Sequence, residues 1–227
     1  MTLYKDRIYP RLVSILGNPE PIRTVRRRII PRAHGRVLEI GVGPGVNFPH
    51  YDPARVAKLY ALEPNPGMLR LAARQRQRTT LDVEFLGLPG ERLPLADGSV
   101  DTVVSTFTLC TIPRVGDGVR ELRRVLGEGG ALIFFEHGLS PDPRVHRWQR
   151  WTEPITRCVF AGCHLTRDVP SVLEQGGFEI EERRWRRPTS PCPRPGRTVG
   201  RARPFRSDDR PVGQDQVVRA ACSIARV

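Results

Sequence analysis

A glycine-rich segment follows the first strongly apolar stretch of the chain. In RVLEIGVGPGVN (36–47), Gly41, Gly43 and Gly45 occupy alternate positions. Glycines after a buried strand let the backbone turn tightly and let a ligand lie close to the main chain. Position 46 is Val, whereas a dinucleotide-binding turn needs G-x-G-x-x-G/A, and the Gly-Lys-Ser/Thr of a phosphate-binding loop is missing. The segment therefore predicts a ligand turn that is not built for a dinucleotide or a nucleoside triphosphate.

A carboxylate precedes this turn. Glu39 lies two residues before Gly41, where a negative charge would repel phosphate and attract an ammonium or a sulfonium group. S-adenosylmethionine carries both of these cations and no phosphate. We therefore predict that Glu39, Gly41, Gly43 and Gly45 bind S-adenosylmethionine, with the glycines close to its methionine part.

Three further residues are candidates for the nucleoside part of the same ligand. Glu63 ends the second predicted strand, 22 residues after Gly41, where a carboxylate accepts hydrogen bonds from both ribose hydroxyls. Glu91 follows the third predicted strand and is placed to accept from the adenine amino group, and Met68 to border the adenine. The structural alternatives are a helix-capping or solvent-facing carboxylate for Glu63 and an exposed loop acid for Glu91.

Two histidines are the candidate proton acceptors. His137 ends the fifth predicted strand, at the edge facing the cofactor, and His164 lies in GCHLTRD (162–168) before the last helix. A packed or hydrogen-bonded histidine is the structural alternative for both, since a base is needed only for a weakly acidic acceptor. We predict no metal site, because Cys158, Cys163 and His164 lack a second ligand pair at zinc-binding spacing.

The elements that must position these residues alternate between strands and helices. Strands are predicted at 36–41, 57–63, 83–87, 100–108, 130–137 and at the end of 169–185. Helices are predicted between them at 66–78, 115–130 and the start of 169–185. This alternation predicts right-handed crossovers and a doubly wound, mostly parallel α/β sheet of the Rossmann type.

The chain divides into three predicted regions. Residues 1–34 form an N-terminal helical lid, with weak contact to a membrane surface as the alternative. Residues 35–185 form the ligand-binding domain. Residues 186–227 are a basic Pro/Arg-rich tail without periodicity, which we expect to be disordered, with residues 215–227 as a possible final strand.

Composition limits the other functional classes. The 227 residues carry a formal charge of +13, of which +9 belongs to residues 183–227, so the charge says little about the domain and we expect no specific nucleic-acid partner. The sequence contains no run of about 18 apolar residues, so we predict no transmembrane helix. Five cysteines without paired spacing suit a reducing compartment, and we expect a cytoplasmic protein.

Several of these segments carry a family resemblance. VLEIGVGPG (37–45), LEPNPGML (62–69), LPLADGSVDTVVS (93–105) and ELRRVLGEGGALIFFEH (121–137) resemble motifs of class I S-adenosylmethionine-dependent methyltransferases. The resemblance covers about residues 35–185. It implies a Rossmann-like fold, S-adenosylmethionine as cofactor and methyl transfer as the reaction.

Three stretches resemble one branch of that class more closely. ADGSVDTVVSTFTLCTI (96–112), GGALIFFEHG (129–138) and AGCHLTRD (161–168) are similar to the methyltransferase-like protein 7 group and its bacterial relatives. That group is associated with methylation of alkyl thiols, which implies a small, rather apolar thiol as acceptor. Alternatives are a quinone- or lipid-type methyltransferase with a histidine base and, from other classes, a dinucleotide oxidoreductase or a nucleic-acid-binding module.

Overall fold

The computed structural model describes residues 4–140, 142–160, 162–186 and 197–204. Within these residues, seven strands form one sheet in the order β3-β2-β1-β4-β5-β7-β6. The strands are β1 Gly35–Ile40, β2 Val56–Leu62, β3 Val83–Leu86, β4 Val100–Thr106, β5 Leu126–His137, β6 Phe178–Arg186 and β7 Arg197–Pro204. Strands β1 to β5 pair in parallel, whereas β7 is antiparallel to both β5 and β6. The predicted doubly wound, mostly parallel α/β fold is confirmed.

In the described ranges, six α-helices connect or precede the strands. They are α1 Tyr9–Leu16, α2 Glu20–Ile29, α3 Pro66–Arg76, α4 Val115–Val125, α5 Pro143–Val159 and α6 Val169–Gln175. Helix α3 begins sharply after β2 because the Asn65 side chain accepts a hydrogen bond from Met68 N (3.0 Å) and Pro66 occupies the first turn. This cap fixes where the chain leaves the sheet edge.

An apolar core lies on each face of the sheet, because successive strand residues point to opposite sides. Val37 of β1 belongs to one core, together with residues of α2 and α3. Leu38 and Ile40 belong to the other, with residues of α4 and α6. Covering both faces leaves the carboxyl edge of the sheet as the place where loop residues meet.

The N-terminal segment packs against α3, and Pro10 lies in the first turn of α1. A short π-helical turn, Tyr4–Ile8, comes first. A Cβ atom on Gly67 would lie 2.2 Å from Asp6 O, so only glycine permits this approach at the start of α3. The role of the N-terminal segment as a lid remains a prediction.

The end of the sheet corrects the predicted domain boundary. The last strand, β7, lies within the segment that the sequence assigned to the tail, and it pairs with β5 and β6 on its two sides. The domain therefore extends beyond residue 185 to Pro204. The possible strand at 215–227 lies outside the described residues. Across the described ranges, no helix combines the length and apolar character needed to cross a membrane.

Candidate active site

The glycine turn follows β1 at the carboxyl edge of the sheet. Gly41, Gly43 and Gly45 have φ angles of 63°, 55° and 80°. A Cβ atom on Gly41 would lie 2.1 Å from Thr108 Oγ1, because the segment after β4 packs directly against the turn. Among the described residues, the nearest atom to a Cβ on Gly43 would be Gly41 O at 4.0 Å. The protein is thus closed around Gly41 and open in front of Gly43, as a ligand-binding turn requires.

Glu63 connects this turn to the end of β2. Its buried carboxylate accepts hydrogen bonds from Gly43 N (3.0 Å, at Oε2) and from Asn65 N (2.9 Å, at Oε1). Burial raises the pKa of Glu63 against the opposing effect of these two bonds. Each carboxylate oxygen has a second acceptor site, so Glu63 retains capacity for ligand hydroxyl groups beside Gly43.

Glu39 is a buried acid near the end of β1. Asn47 Nδ2 donates to its Oε1 (2.7 Å) and the Tyr51 hydroxyl donates to its Oε2 (2.8 Å). Burial raises the pKa of Glu39 to about 7, although both hydrogen bonds oppose the shift. Because Glu39 is only 1% exposed, any attraction of a cationic ligand acts through its buried charge.

Arg26 completes the same network, and sequence reasoning missed it. One guanidinium nitrogen of Arg26 donates to Asn47 Oδ1 (2.5 Å) and to Thr106 Oγ1 (2.9 Å), and the group lies 5.6 Å from the Phe107 ring centroid. Burial lowers its pKa to about 10. The sequence signal that could have identified Arg26 as buried is its helical spacing from Ile22, since both residues fall on the buried face of α2.

Glu136 organises the segment after β4 and was also missed. Its buried carboxylate accepts from Ser105 Oγ (2.6 Å) and from the backbone amides of Thr108 (3.0 Å), Leu109 (3.1 Å) and Cys110 (3.2 Å). Burial raises its pKa. A single carboxylate inside the apolar run of β5 was the signal, because a buried charge needs several donors.

Three side chains from distant parts of the sequence meet beyond Glu136. Cys110 Sγ and Cys163 Sγ are 3.6 Å apart, and His137 Nδ1 lies 3.8 Å from Cys110 Sγ and 3.4 Å from Cys163 Sγ. We call Cys110, His137 and Cys163 the Cys–His cluster. Hydrogen bonding from Cys110 lowers the pKa of Cys163 below its usual range, and His137 adds to this effect. The predicted candidate base His137 therefore faces two sulfur atoms.

His164 is adjacent in sequence to Cys163 but has different partners. Its Nδ1 lies 3.2 Å from Glu153 Oε1, and the other carboxylate oxygen of Glu153 accepts from the Thr166 backbone amide (2.9 Å) and hydroxyl. Burial opposes ionisation of Glu153, yet these hydrogen bonds hold its pKa below the usual range. The structure thus pairs His164 with a carboxylate of α5 and separates its role from that of His137.

The other predicted ligand residues, Met68 and Glu91, lie in the segments that follow β2 and β3. Met68 is buried in the first turn of α3, and Glu91 lies half-buried in the loop between β3 and β4. Burial, together with the charges of Cys163 and Glu63, raises the pKa of Tyr9 in α1.

Comparisons with known proteins agree with this geometry. Residues 38–134 match the family model described as a methyltransferase domain. Human thiol S-methyltransferase TMT1B is 38% identical over 159 residues, which cover 67% of this chain and 64% of that protein. The chain thus spans just under two thirds of the length of this curated relative.

Solved structures share the fold. An S-adenosylmethionine-dependent methyltransferase from Methanosarcina mazei superimposes with a TM-score of 0.61 at 19% identity, covering 80% of this chain and 97% of that one. Another from Leishmania major gives 0.65 at 14% identity, covering 89% and 81%. These likenesses show that the chain shares the fold of these methyltransferases, and its residues 38–134 are similar to the methyltransferase domain family.

Proposed function

We propose that this protein transfers a methyl group from S-adenosylmethionine to a small, rather apolar thiol. The observation that carries the proposal is the arrangement of Gly43 and Glu63. The backbone is open in front of Gly43, and the buried carboxylate of Glu63 lies 3.0 Å from Gly43 N. The similarity to thiol S-methyltransferases supports a sulfur acceptor.

The residues present fit this cofactor. When bound, S-adenosylmethionine supplies a methyl group on a sulfonium, which is a very good leaving group. The open side of Gly43 accepts the close approach of an aliphatic chain, because a Cβ atom there would occupy that space. Glu63 accepts the ribose hydroxyls through its remaining lone pairs. We assign Met68, in α3, and Glu91, in the loop between β3 and β4, to the adenine.

Glu39 supports the cofactor indirectly in this proposal. Asn47 and Tyr51 donate to its buried carboxylate, and Asn47 lies just beyond the glycine turn. Ionised Glu39 contributes negative charge beneath the turn, which favours a cationic ligand over a phosphate. The same property disfavours the dinucleotide alternative.

The acceptor chemistry needs little more than positioning. Holding a nucleophile about 3–3.5 Å from the methyl carbon, in line with the departing sulfur, supplies much of the acceleration. A thiol with a pKa of about 8.5 is already partly ionised at neutral pH. A quinol or lipid amine would instead depend on His137 or His164 as base.

The test is a panel of small thiols, quinols and amines incubated with methyl-labelled cofactor. We expect label in apolar thiols, with transfer retained in His164→Ala because that residue is paired with Glu153. Heat-inactivated protein gives the uncatalysed rate of each acceptor. Turnover of quinols alone, abolished in His164→Ala, would contradict the thiol proposal and favour a general-base enzyme.

A further inference from the structure

The Cys–His cluster combines three potential metal ligands from three elements. Cys110 follows β4, His137 ends β5 and Cys163 precedes α6. Their ligand atoms all lie within 4.8 Å of one another. The sequence does not reveal these ligands because they are not close together in it: Cys110 and Cys163 are separated by 53 positions.

The separations match those that zinc imposes on its ligands. Zinc–sulfur bonds of about 2.3 Å and zinc–nitrogen bonds of about 2.0–2.1 Å, at tetrahedral angles, place two sulfurs about 3.8 Å apart and sulfur about 3.6 Å from nitrogen. The observed distances are 3.6 Å between the sulfurs, and 3.8 and 3.4 Å from sulfur to His137 Nδ1. One ion therefore fits among the three atoms with little movement.

The protein holds these ligands in place from outside the cluster. Glu136 accepts the backbone amide of Cys110 (3.2 Å), and the carbonyl of Cys110 accepts from His164 N (2.9 Å). The Phe107 ring packs 4.6 Å from the His137 ring, between centroids. Such supporting contacts orient ligands before a metal arrives.

The two cysteines of the cluster are available to bind a metal as thiolates, the form of cysteine that zinc binds. Cys110 and Cys163 are both buried free cysteines, and a sulfur separation of 3.6 Å is far longer than a disulfide bond of about 2.05 Å.

We propose that Cys110, His137 and Cys163 form a three-ligand site for zinc or a similar thiophilic divalent cation, with a fourth position open to the acceptor sulfur. Three protein ligands and one exchangeable position are the pattern of catalytic zinc sites, whereas structural sites have four protein ligands. The assignment of the fourth position to a thiol rests on the proposed function; the metal site itself does not.

The cation would act on the acceptor without changing its own oxidation state. A thiol that takes the fourth position releases its proton to solvent and stays nucleophilic as a thiolate. Its sulfur lone pair forms the new carbon–sulfur bond while the methyl group's bond to the sulfonium sulfur breaks, and that electron pair stays on the departing sulfur. The products are a thioether and S-adenosylhomocysteine. His137 is then a ligand and not a base.

Metal binding can be measured on the whole protein, apart from activity. Reduced, chelator-stripped protein is dialysed against zinc and analysed by elemental mass spectrometry, and cobalt(II) is added separately to record thiolate-to-metal charge-transfer absorption. We expect one ion per chain and a cobalt spectrum with thiolate character. Cys110→Ser, Cys163→Ser and His137→Ala should each weaken binding at least about tenfold, whereas Cys158→Ser, at an exposed cysteine of α5, should bind as the wild type does.

The wild-type measurement keeps the test decisive even if a variant fails to fold. Reduced wild-type protein that retains no zinc and gives no cobalt–thiolate band would overturn the site. Metal binding by Cys110→Ser equal to that of the wild type would also overturn the site. A third contradicting result would be protein that is isolated with a Cys110–Cys163 disulfide and still binds no metal once that disulfide is reduced. Calorimetry with S-adenosylhomocysteine on the same samples separates the two proposals: cofactor binding without metal rejects only the site, and metal without cofactor rejects only the function.

Discussion

The glycine turn and the Cys–His cluster lie at the same edge of the sheet but differ in chemistry. The turn offers backbone amides and the oxygens of Glu63, which suit the hydroxyl and ammonium groups of a cofactor. The cluster offers two sulfurs and an imidazole, which suit a thiophilic metal. We therefore expect substitutions in the first region to affect cofactor binding and those in the second to affect transfer to the acceptor.

The same substitution at two glycines of the turn should have different effects on stability and on ligand affinity. Gly41→Ala and Gly43→Ala both place a Cβ atom at positive φ, but only the first clashes with Thr108. Gly41→Ala should lower the free energy of unfolding by roughly 2–5 kcal/mol, from backbone strain plus overpacking. Gly43→Ala should cost only about 1–2 kcal/mol in stability and act mainly on affinity for S-adenosylhomocysteine.

Urea unfolding and calorimetry on the two variants check this pair. Equal stability losses would mean that Thr108 does not close around Gly41. A Gly43→Ala protein with unchanged cofactor affinity would mean that the open side of the turn is not where the ligand lies.

Glu63→Ala tests the cofactor region at its carboxylate. Losing hydrogen bonds to a charged group should weaken S-adenosylhomocysteine binding by about 1.5–3 kcal/mol, or roughly 10- to 150-fold. Glu84→Ala is the matched control, because Glu84 is an exposed carboxylate on β3 paired with Lys58. An unaltered dissociation constant in Glu63→Ala would place the ribose elsewhere.

Glu39 gives a pH-dependent prediction. Its pKa is raised from an ordinary value of about 4.5 to about 7 by burial, so the folded state binds this proton more tightly than the unfolded state. Its contribution to stability is full below about pH 4.5 and is lost as pH rises towards about 7. Relative to Glu39→Gln, the wild type should lose up to about 1.4 kcal/mol of stability per pH unit in that interval.

Urea titrations at about pH 5, 6 and 7 would measure this difference. Glu84→Gln should follow the wild type, since that carboxylate is exposed. Parallel pH profiles for the wild type and Glu39→Gln would show that Glu39 is ionised over the whole interval, with Arg26 and Asn47 compensating its charge.

The two regions also differ in how far the sequence could predict them. Gly41, Gly43 and Glu63 belong to short motifs next to strands, so spacing alone brings them to the sheet edge. Cys110, His137 and Cys163 meet only because β4 and β5 are neighbours and the loop before α6 returns to them. Nothing local in the sequence encodes that meeting.

Strand β7 was missed for a different reason. Its sequence RTVGRARP has few apolar residues, and Thr198, Val199 and Ala202 are its buried side chains among those described. It is held by pairing with β5 and β6 on both sides, so its stability comes from the sheet rather than from a hydrophobic pattern of its own. Arg26 was missed because an arginine in a basic helix resembles a solvent-facing residue.

The most direct test of the central claim is calorimetric titration of the purified protein with S-adenosylhomocysteine, NADH and an RNA oligonucleotide in parallel. The account predicts saturable, micromolar binding of S-adenosylhomocysteine at one site per chain, weakened by Glu63→Ala and unaffected by Glu84→Ala. It predicts no comparable binding of the other two. Micromolar binding of NADH with none of S-adenosylhomocysteine would contradict the account, because the glycine turn would then serve a dinucleotide.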